Sequence, residues 1–183
     1  MSNVATNVSA GKPNISGAIW TAPLGTTLPT DTQTALGADF KCLGYCSEDG
    51  LTNSTDLESE TIKAWGGDTV LTIQKSKDDK FKFTLLEVLN EDVLKFVYGT
   101  SNVTGSLSTG ITIKANNKDV EERVIVIDMI LRDNTSKRIV IPDCKISELG
   151  DITYSDSDAV GYETTLACMP DSTGNTHYEY LYK

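Results

Sequence analysis

The chain has 183 residues and a formal net charge of −10 at pH 7. That length is one domain, or one domain with arms. The charge argues against a protein that grips nucleic acid through its phosphates, because such a footprint is basic; it suits a soluble chain, or one that must not stick to a polyanion.

Residues 1–37 hold only two charged side chains, Lys12 and Asp31, and three of the five prolines. Large apolar residues are sparse there, which predicts an extended arm with little regular structure. Trp20 and the low charge favour order over a disordered tail beyond residue 14. The domain proper then runs from 38 to 183.

Residues 40–46 form a short β-prone run. Residues 47–60 carry Glu48, Asp49, Asp56, Glu58 and Glu60 and no Lys or Arg. Residues 61–65 alternate again and end at Gly66, Gly67 and Asp68, a turn signal. The pattern predicts a hairpin with an acidic loop of about 12 to 14 residues, a length that marks a functional or disordered loop. Residues 69–75 and 81–85 read as a second antiparallel pair around a polar turn at 76–80.

One helix is expected. Asn90 can cap it, Glu91 and Asp92 complement its dipole, and Gly99 closes it. Leu89, Val93, Phe96 and Val97 fall near helical spacing. At roughly ten residues such a helix does not persist alone and must dock on a sheet.

Residues 100–110 read as a Ser/Thr/Gly loop, 111–114 as a strand and 116–118 as a turn. The longest expected strand is 121–132. Ile125, Ile127, Met129 and Leu131 lie on one face, and Val124, Val126 and Ile130 with Asp128 on the other. Apolar residues on both faces mark a central strand covered on both sides. A turn at 133–136 leads to a strand at 137–141, which Pro142 should end. Residues 144–149 and 160–168 form another pair around an acidic connector. Tyr178, Tyr180 and Tyr182 alternate as a last edge strand would. The sum is eight or nine strands and one short helix. That predicts a mainly β, antiparallel sandwich or barrel with the helix packed outside, an extended N-terminal arm and a long acidic hairpin loop.

The acid excess is segregated. Residues 47–60 have five acids and no base, and residues 143–171 have seven acids and one base. Residues 61–142 hold eleven acids and twelve bases, which nearly cancel.

No catalytic, cofactor or metal site is expected. The one histidine, His177, lies near the C-terminus without a motif partner and reads as exposed. No phosphate loop, nucleophile elbow or H-E-x-x-H pattern occurs. Cys42, Cys46, Cys144 and Cys168 fit no zinc template and read as free thiols in a reducing compartment. Cys42 and Cys46 read as small hydrophobes on one face of one strand. No signal peptide is expected, and the strongest apolar run, 124–131, is interrupted by Asp128 and too short for a membrane.

The order of several segments carries a resemblance. They are residues 17–20 with 22–25, the run 43–50, the run 58–68, the Phe81 strand, the helix ending at Gly99, and residues 151–154 with 162–166. The chain resembles the major tail tube protein of long-tailed bacteriophages over most of its length. The resemblance implies six-fold rings of itself, stacked into a hollow tube through which double-stranded DNA is ejected without specific binding. It further implies tape-measure, tail-tip and terminator proteins as partners, a place in the virion after assembly in the host cytoplasm, and no membrane partner.

Mapped residue by residue, the ring-stacking loop would use Glu48, Asp49, Leu51, Asn53, Asp56, Leu57 and Glu58. The outer helix would use Asn90, Val93, Leu94 and Val97, and the arm would make contacts through Ile19, Trp20 and Leu24. The acid excess suggests Glu60, Glu148, Asp151 and Glu163 as an acidic lumen lining. The alternative reading is a β-sandwich module that binds a carbohydrate or receptor. That needs clustered aromatics, and Trp20, Tyr45 and Trp65 are not clustered in sequence.

Overall fold

The computed structural model describes residues 3–183. Met1 and Ser2, the first residues of the expected arm, lie outside the described residues. In chain order the elements are β1 (Lys12–Pro13), β2 (Ile19–Pro23), β3 (Lys41–Cys42), β4 (Cys46–Lys63), β5 (Thr69–Leu85), α1 (Glu91–Tyr98), β6 (Val103–Ser106), β7 (Gly110–Ile113), β8 (Arg123–Ile130), β9 (Ser136–Leu149), β10 (Tyr162–Cys168) and β11 (Tyr178–Tyr182). Nine strands form one sheet in the order β3-β2-β8-β9-β10-β5-β4, with β1 on β8 and β11 on β9. β6 and β7 form a separate pair. Pairing is antiparallel throughout, and the large sheet is open, with β3 at one edge and β4 at the other.

β8 is the central strand its two-sided pattern predicts. Ile125 and Ile127 face a core shared with Phe81, Phe83, Leu85, Leu166 and the helix. Val124 and Val126 face a second core with Ala22, Phe40 and Val140. Burying each large side chain contributes about 1.5–3 kcal/mol. The helix supplies Val93, Leu94, Phe96 and Val97 to the first core, and all four are buried. Asn90 caps it by accepting the Asp92 amide at 3.0 Å, and Gly99 ends it with φ +90°. Leu89 stays exposed, since it precedes the cap.

The second core is closed by the segment expected to be an arm. Ile19–Pro23 within it is a strand of the main sheet, paired with β8. Leu28 and Leu36 then pack over β8 and β9 together with Tyr178 and Tyr180. Asp128 and Arg138, cross-strand neighbours on β8 and β9, sit beneath this cover. Arg138 Nε and Nη2 donate to the two Asp128 oxygens at 2.7 and 2.9 Å, and Nη1 donates to the carbonyls of Asp31 and Thr34, both at 2.9 Å. The charge that interrupts the apolar run thus ties residues 31–34 to the sheet.

Several expected boundaries differ. The acidic stretch 47–60 is not a loop but most of β4, an 18-residue strand that replaces 121–132 as the longest. The expected turn at 76–80 and the two strands flanking it are one strand, β5. Residues 47–60 carry only Leu51 and Leu57 as large apolar side chains, so apolar periodicity gave no sign of a strand there. Pairing instead sets acids beside lysines, Glu60 with Lys75 at 2.7 Å and Asp56 with Lys80 at 2.9 Å.

Pro142 does not end its strand; β9 runs through it. It falls between the β11 partners, which stop at Val140, and the β10 partners, which start at Cys144, beside a register shift against β8. A missing N–H is tolerated there. The expected loop 100–110 contains β6, which pairs with β7. Cys42 and Cys46 belong to separate strands, divided by Gly44 with φ +74°. All four cysteines are free.

Asp128→Asn should cost about 3–5 kcal/mol, the scale of leaving a buried partner charge uncompensated. Urea denaturation measures the loss, and limited proteolysis should cut first within 24–40. Replacing both residues together, Asp128→Leu with Arg138→Met, should recover most of that stability.

Candidate assembly surfaces

β10 pairs with β5 only from Asp79 to Leu85. Beyond Asp79 the β4–β5 hairpin continues alone as a two-stranded ribbon, about 25 Å long at about 3.3 Å per residue. Its turn is closed by the Ala64 amide on the Asp68 carbonyl (2.8 Å) and the Gly67 amide on the Ala64 carbonyl (3.0 Å). Gly66 and Gly67 have φ of +122° and +100°, which side chains beyond glycine rarely adopt.

The ribbon has two different faces. Alternation along β5 is broken by a bulge. Glu58 stands opposite Ser76 but Ser59 opposite Gln74, so Lys75 is the extra residue. Leu71 and Ile73 fall on the side away from the one that Phe81, Phe83 and Leu85 present to the core. Ile62 is opposite Leu71 and shares its side, whereas Leu57, opposite Lys77, is five residues from Ile62 on β4 and stays on the core side with Leu51. Ile62, Leu71 and Ile73 therefore form an uncovered apolar group on the ribbon side that continues the polar sheet face, and Leu57 stands on the side that continues the core. Leu57, Ile62, Leu71 and Ile73 are 62, 44, 51 and 44% exposed, and Trp65 at the tip is wholly exposed. An isolated two-stranded ribbon is marginal in water.

The residues expected to stack rings split along β4. Leu51 is half-buried against the core. Asn53 reaches the Lys80 carbonyl at 3.2 Å, and Asp56 is held by Lys80. Glu48, Asp49, Leu57 and Glu58 are exposed.

The sheet side away from the helix is polar. Register sets Thr52, Lys82, Thr165 and Glu148 in one row, and Ser54, Lys80, Ala167 and Lys145 in the next. Glu163 stands opposite Thr84 and pairs with Lys82 at 2.8 Å. Of the four candidate lining acids, the structure gathers three. Glu148 and Glu163 lie on this face, and the Gly150 amide bonds the Glu163 carbonyl at 2.8 Å, bringing Asp151 to the same end. Glu60 lies apart, on the ribbon with Lys75. Lys80, Lys82 and Lys145 mix with the acids, so the local charge is far closer to balance than the sequence segments suggest.

The helix lies between the sheet and the β6–β7 pair, with Val103 and Ile111 against it. Among the expected arm contacts, Ile19 is buried, Trp20 is half-buried with its ring N–H on the Gly17 carbonyl at 3.3 Å, and Leu24 is exposed. Among the described residues no group of His, Cys, Asp or Glu is placed to hold a metal ion.

Sequence reasoning missed one cluster. Asp79, 1% exposed, accepts Thr55 Oγ1 at 2.5 Å and also Thr176 Oγ1. Lys77 Nζ stands 3.5 Å away and His177 Nδ1 3.6 Å away. His177 is therefore half-buried rather than exposed, edge-on to Phe81. Burial pushes the Asp79 carboxyl up, but the hydrogen bonds from Thr176 and Thr55 with the charges of Lys77 and His177 outweigh it and hold it below its ordinary range. No sequence signal links Asp79 to a residue 97 positions away.

The sequence model of a family described as "Phage tail tube protein" matches residues 5–183. No curated protein matches the chain. Among solved structures, the anti-feeding prophage cap, a tube terminating cap seen by cryo-EM, aligns over 100% of both chains at 8% identity and a TM-score of 0.45. At that similarity nothing about this chain follows from it.

Because the Asp79 carboxyl is depressed in the folded state, its stabilisation is present above the ordinary carboxylate range and lost as pH falls through the depressed value. Asp79→Asn should be less stable than the parent at neutral pH. The gap should close as pH falls below about 4, measured by denaturant titrations from pH 2 to 7.

Proposed function

This chain belongs to the phage tail tube protein family, and from that premise we propose that it self-assembles into stacked hexameric rings forming the hollow tube through which DNA leaves the virion. It is a structural tail protein. In this reading its partners are copies of itself, a tape-measure protein that sets length, and tail-tip and terminator proteins at the ends. Assembly takes place in the host cytoplasm. The tube subunit is the domain of 38–183 together with residues 12–37, which pair with β8 and cover the second core and so are not a free arm to neighbours.

The observation that carries this reading is the ribbon. Ile62, Leu71 and Ile73 form an apolar group on it without cover, and β4 leaves a long open sheet edge. Both are liabilities in a monomer, because exposed edges and apolar stripes promote association. In a ring or stack they become the interface. Ile62, Leu71, Ile73 and Trp65 then bury against the next copy, alongside the stacking residues Glu48, Asp49, Leu51, Asn53, Asp56, Leu57 and Glu58.

The polar sheet side suits a lumen. It offers hydroxyls and balanced charge, with Glu148, Asp151 and Glu163 at one end. Six copies at −10 each put about −60 on a ring, which repels phosphate and lets a duplex slide. A basic lining would instead hold DNA through counterion release.

Negative-stain microscopy over a concentration series, with tail-tip complex added as initiator, tests the assembly. Tubes with a central channel wide enough to pass a whole DNA duplex, about 20 Å or more, are expected. Particles that stay monomeric with the initiator present overturn the reading.

The ribbon's part is tested separately by Ile62→Ser with Ile73→Ser. Exposed positions of this kind shift stability by no more than about 0.5 kcal/mol. The variant should keep the parent's denaturation curve and lose tube formation. Normal tubes from a folded variant remove the ribbon from the interface.

A further inference from the structure

The ribbon leaves the sheet at a fork. β10 ends at Cys168, directly opposite Asp79. The Met169 amide makes a last bond to the Asp143 carbonyl at 2.9 Å, and the chain then turns out of line. It returns as β11, which pairs with β9 from Ser136 to Val140. The C-terminal segment therefore threads the space between β9 and the departing ribbon, and Asp79 stands at the apex.

Asp79 joins three parts of the chain there. Its backbone is in β5, the Thr55 hydroxyl comes from β4, and Thr176 and His177 come from the C-terminal segment. The carboxylate is the shared acceptor, and it has no exposure to exchange these partners for water. A buried ionised group with its bonds made is costly to strip of any one of them.

The segment that reaches Asp79 is preformed. Asp171 Oδ1 accepts the amides of Thr173 and Asn175 at 2.8 and 3.1 Å and the Thr173 hydroxyl at 2.7 Å. Its other oxygen accepts the Tyr178 hydroxyl at 2.5 Å. This compact turn presents Thr176 and His177 toward the fork. On its far side Tyr178 and Tyr180 stack at 6.5 Å over the second core.

We propose that Asp79 is a latch coupling the ribbon to the C-terminal segment. Seating Thr176 and His177 on the carboxylate fixes the direction in which the ribbon leaves the sheet, so the two elements are ordered together and released together. Asp79 is a positioning residue in this account. Resting on the tube reading, the latch makes the C-terminal segment a control element for ribbon docking, since a ribbon of fixed direction loses less conformational freedom on binding. Linkage requires the coupling to run both ways: loosening either element weakens the other.

Hydrogen exchange on the full-length soluble chain tests the latch before any assembly, so its failure is separable from failure of the tube reading. Thr176→Val removes one donor from the C-terminal side and keeps side-chain size. Thr55→Val does the same from the ribbon side. With Thr176→Val, ribbon amides in 56–63 and 69–78 should exchange roughly tenfold faster or more, the scale of one hydrogen bond to a charged group. With Thr55→Val, amides in 171–182 should speed up to a similar degree. Amides of α1 and β8 should not change in either variant.

Faster exchange confined to the mutated side overturns the coupling. Faster exchange everywhere, α1 and β8 included, also overturns it, because the threonines would then support the whole fold. A third variant, His177→Gln, keeps a polar group at the same reach and should give smaller changes of the same pattern; a change in α1 counts against the latch.

Discussion

The buried Asp128–Arg138 pair is the constraint on which the rest of this fold depends. A charge on the central strand would be prohibitive without a full set of partners. Arg138 supplies a two-pronged match to the carboxylate, and its remaining nitrogen holds two carbonyls of the 31–34 turn. Asp31 shapes that turn in return, accepting the amides of Gln33 and Thr34 at 2.7 and 2.6 Å. The geometry matches the observed register of β8 against β9 and the observed path of the N-terminal segment. Replacement by apolar residues could be equally stable, but it would lose that match. The pair turns a low-complexity stretch of Thr, Pro and Gly into a layer of the structure.

With that layer in place the sheet is covered on both sides at β2, β8 and β9. Toward β10, β5 and β4 only the helix side is covered. The consequence is a graded molecule, with a dry double core at one end and a two-stranded ribbon at the other. A bulge at Lys75 turns the apolar residues of the outer ribbon to the side away from the core, where Ile62, Leu71 and Ile73 stand in solvent. In the proposed tube a neighbouring copy covers them. The cross-strand pairs Glu60–Lys75 and Asp56–Lys80 are about half exposed on both partners, where such pairs contribute under about 1 kcal/mol each. They set the acids of β4 beside lysines of β5 across the ribbon.

Charge shows why segments and surfaces must be distinguished. Residues 143–171 are acidic as a stretch, yet the sheet face they enter also receives Lys80 and Lys82 from β5. Pairing mixes charges that the sequence keeps apart, while the net charge of the subunit is untouched. Long-range repulsion of a polyanion depends on that net charge, and short-range contact depends on the mixed face.

Read alone, the sequence determined the local features whose cause is local. Asn90, Glu91 and Asp92 start the helix and Gly99 stops it. Gly66 and Gly67 make the ribbon turn. Two-sided burial of β8 followed from its doubly apolar pattern, and the pairing of 144–149 with 160–168 from two alternating runs. Tertiary structure alone decided the features whose cause is a distant partner. The acidic stretch became a strand because β5 lies beside it, and Pro142 stayed within β9 because no neighbour asks for its N–H. Asp79 and His177 met because the C-terminal segment threads the fork. Periodicity records which faces of an element meet apolar matter. It carries no information about polar strands, whose only strong demand, the backbone hydrogen bond, is identical for every residue but proline.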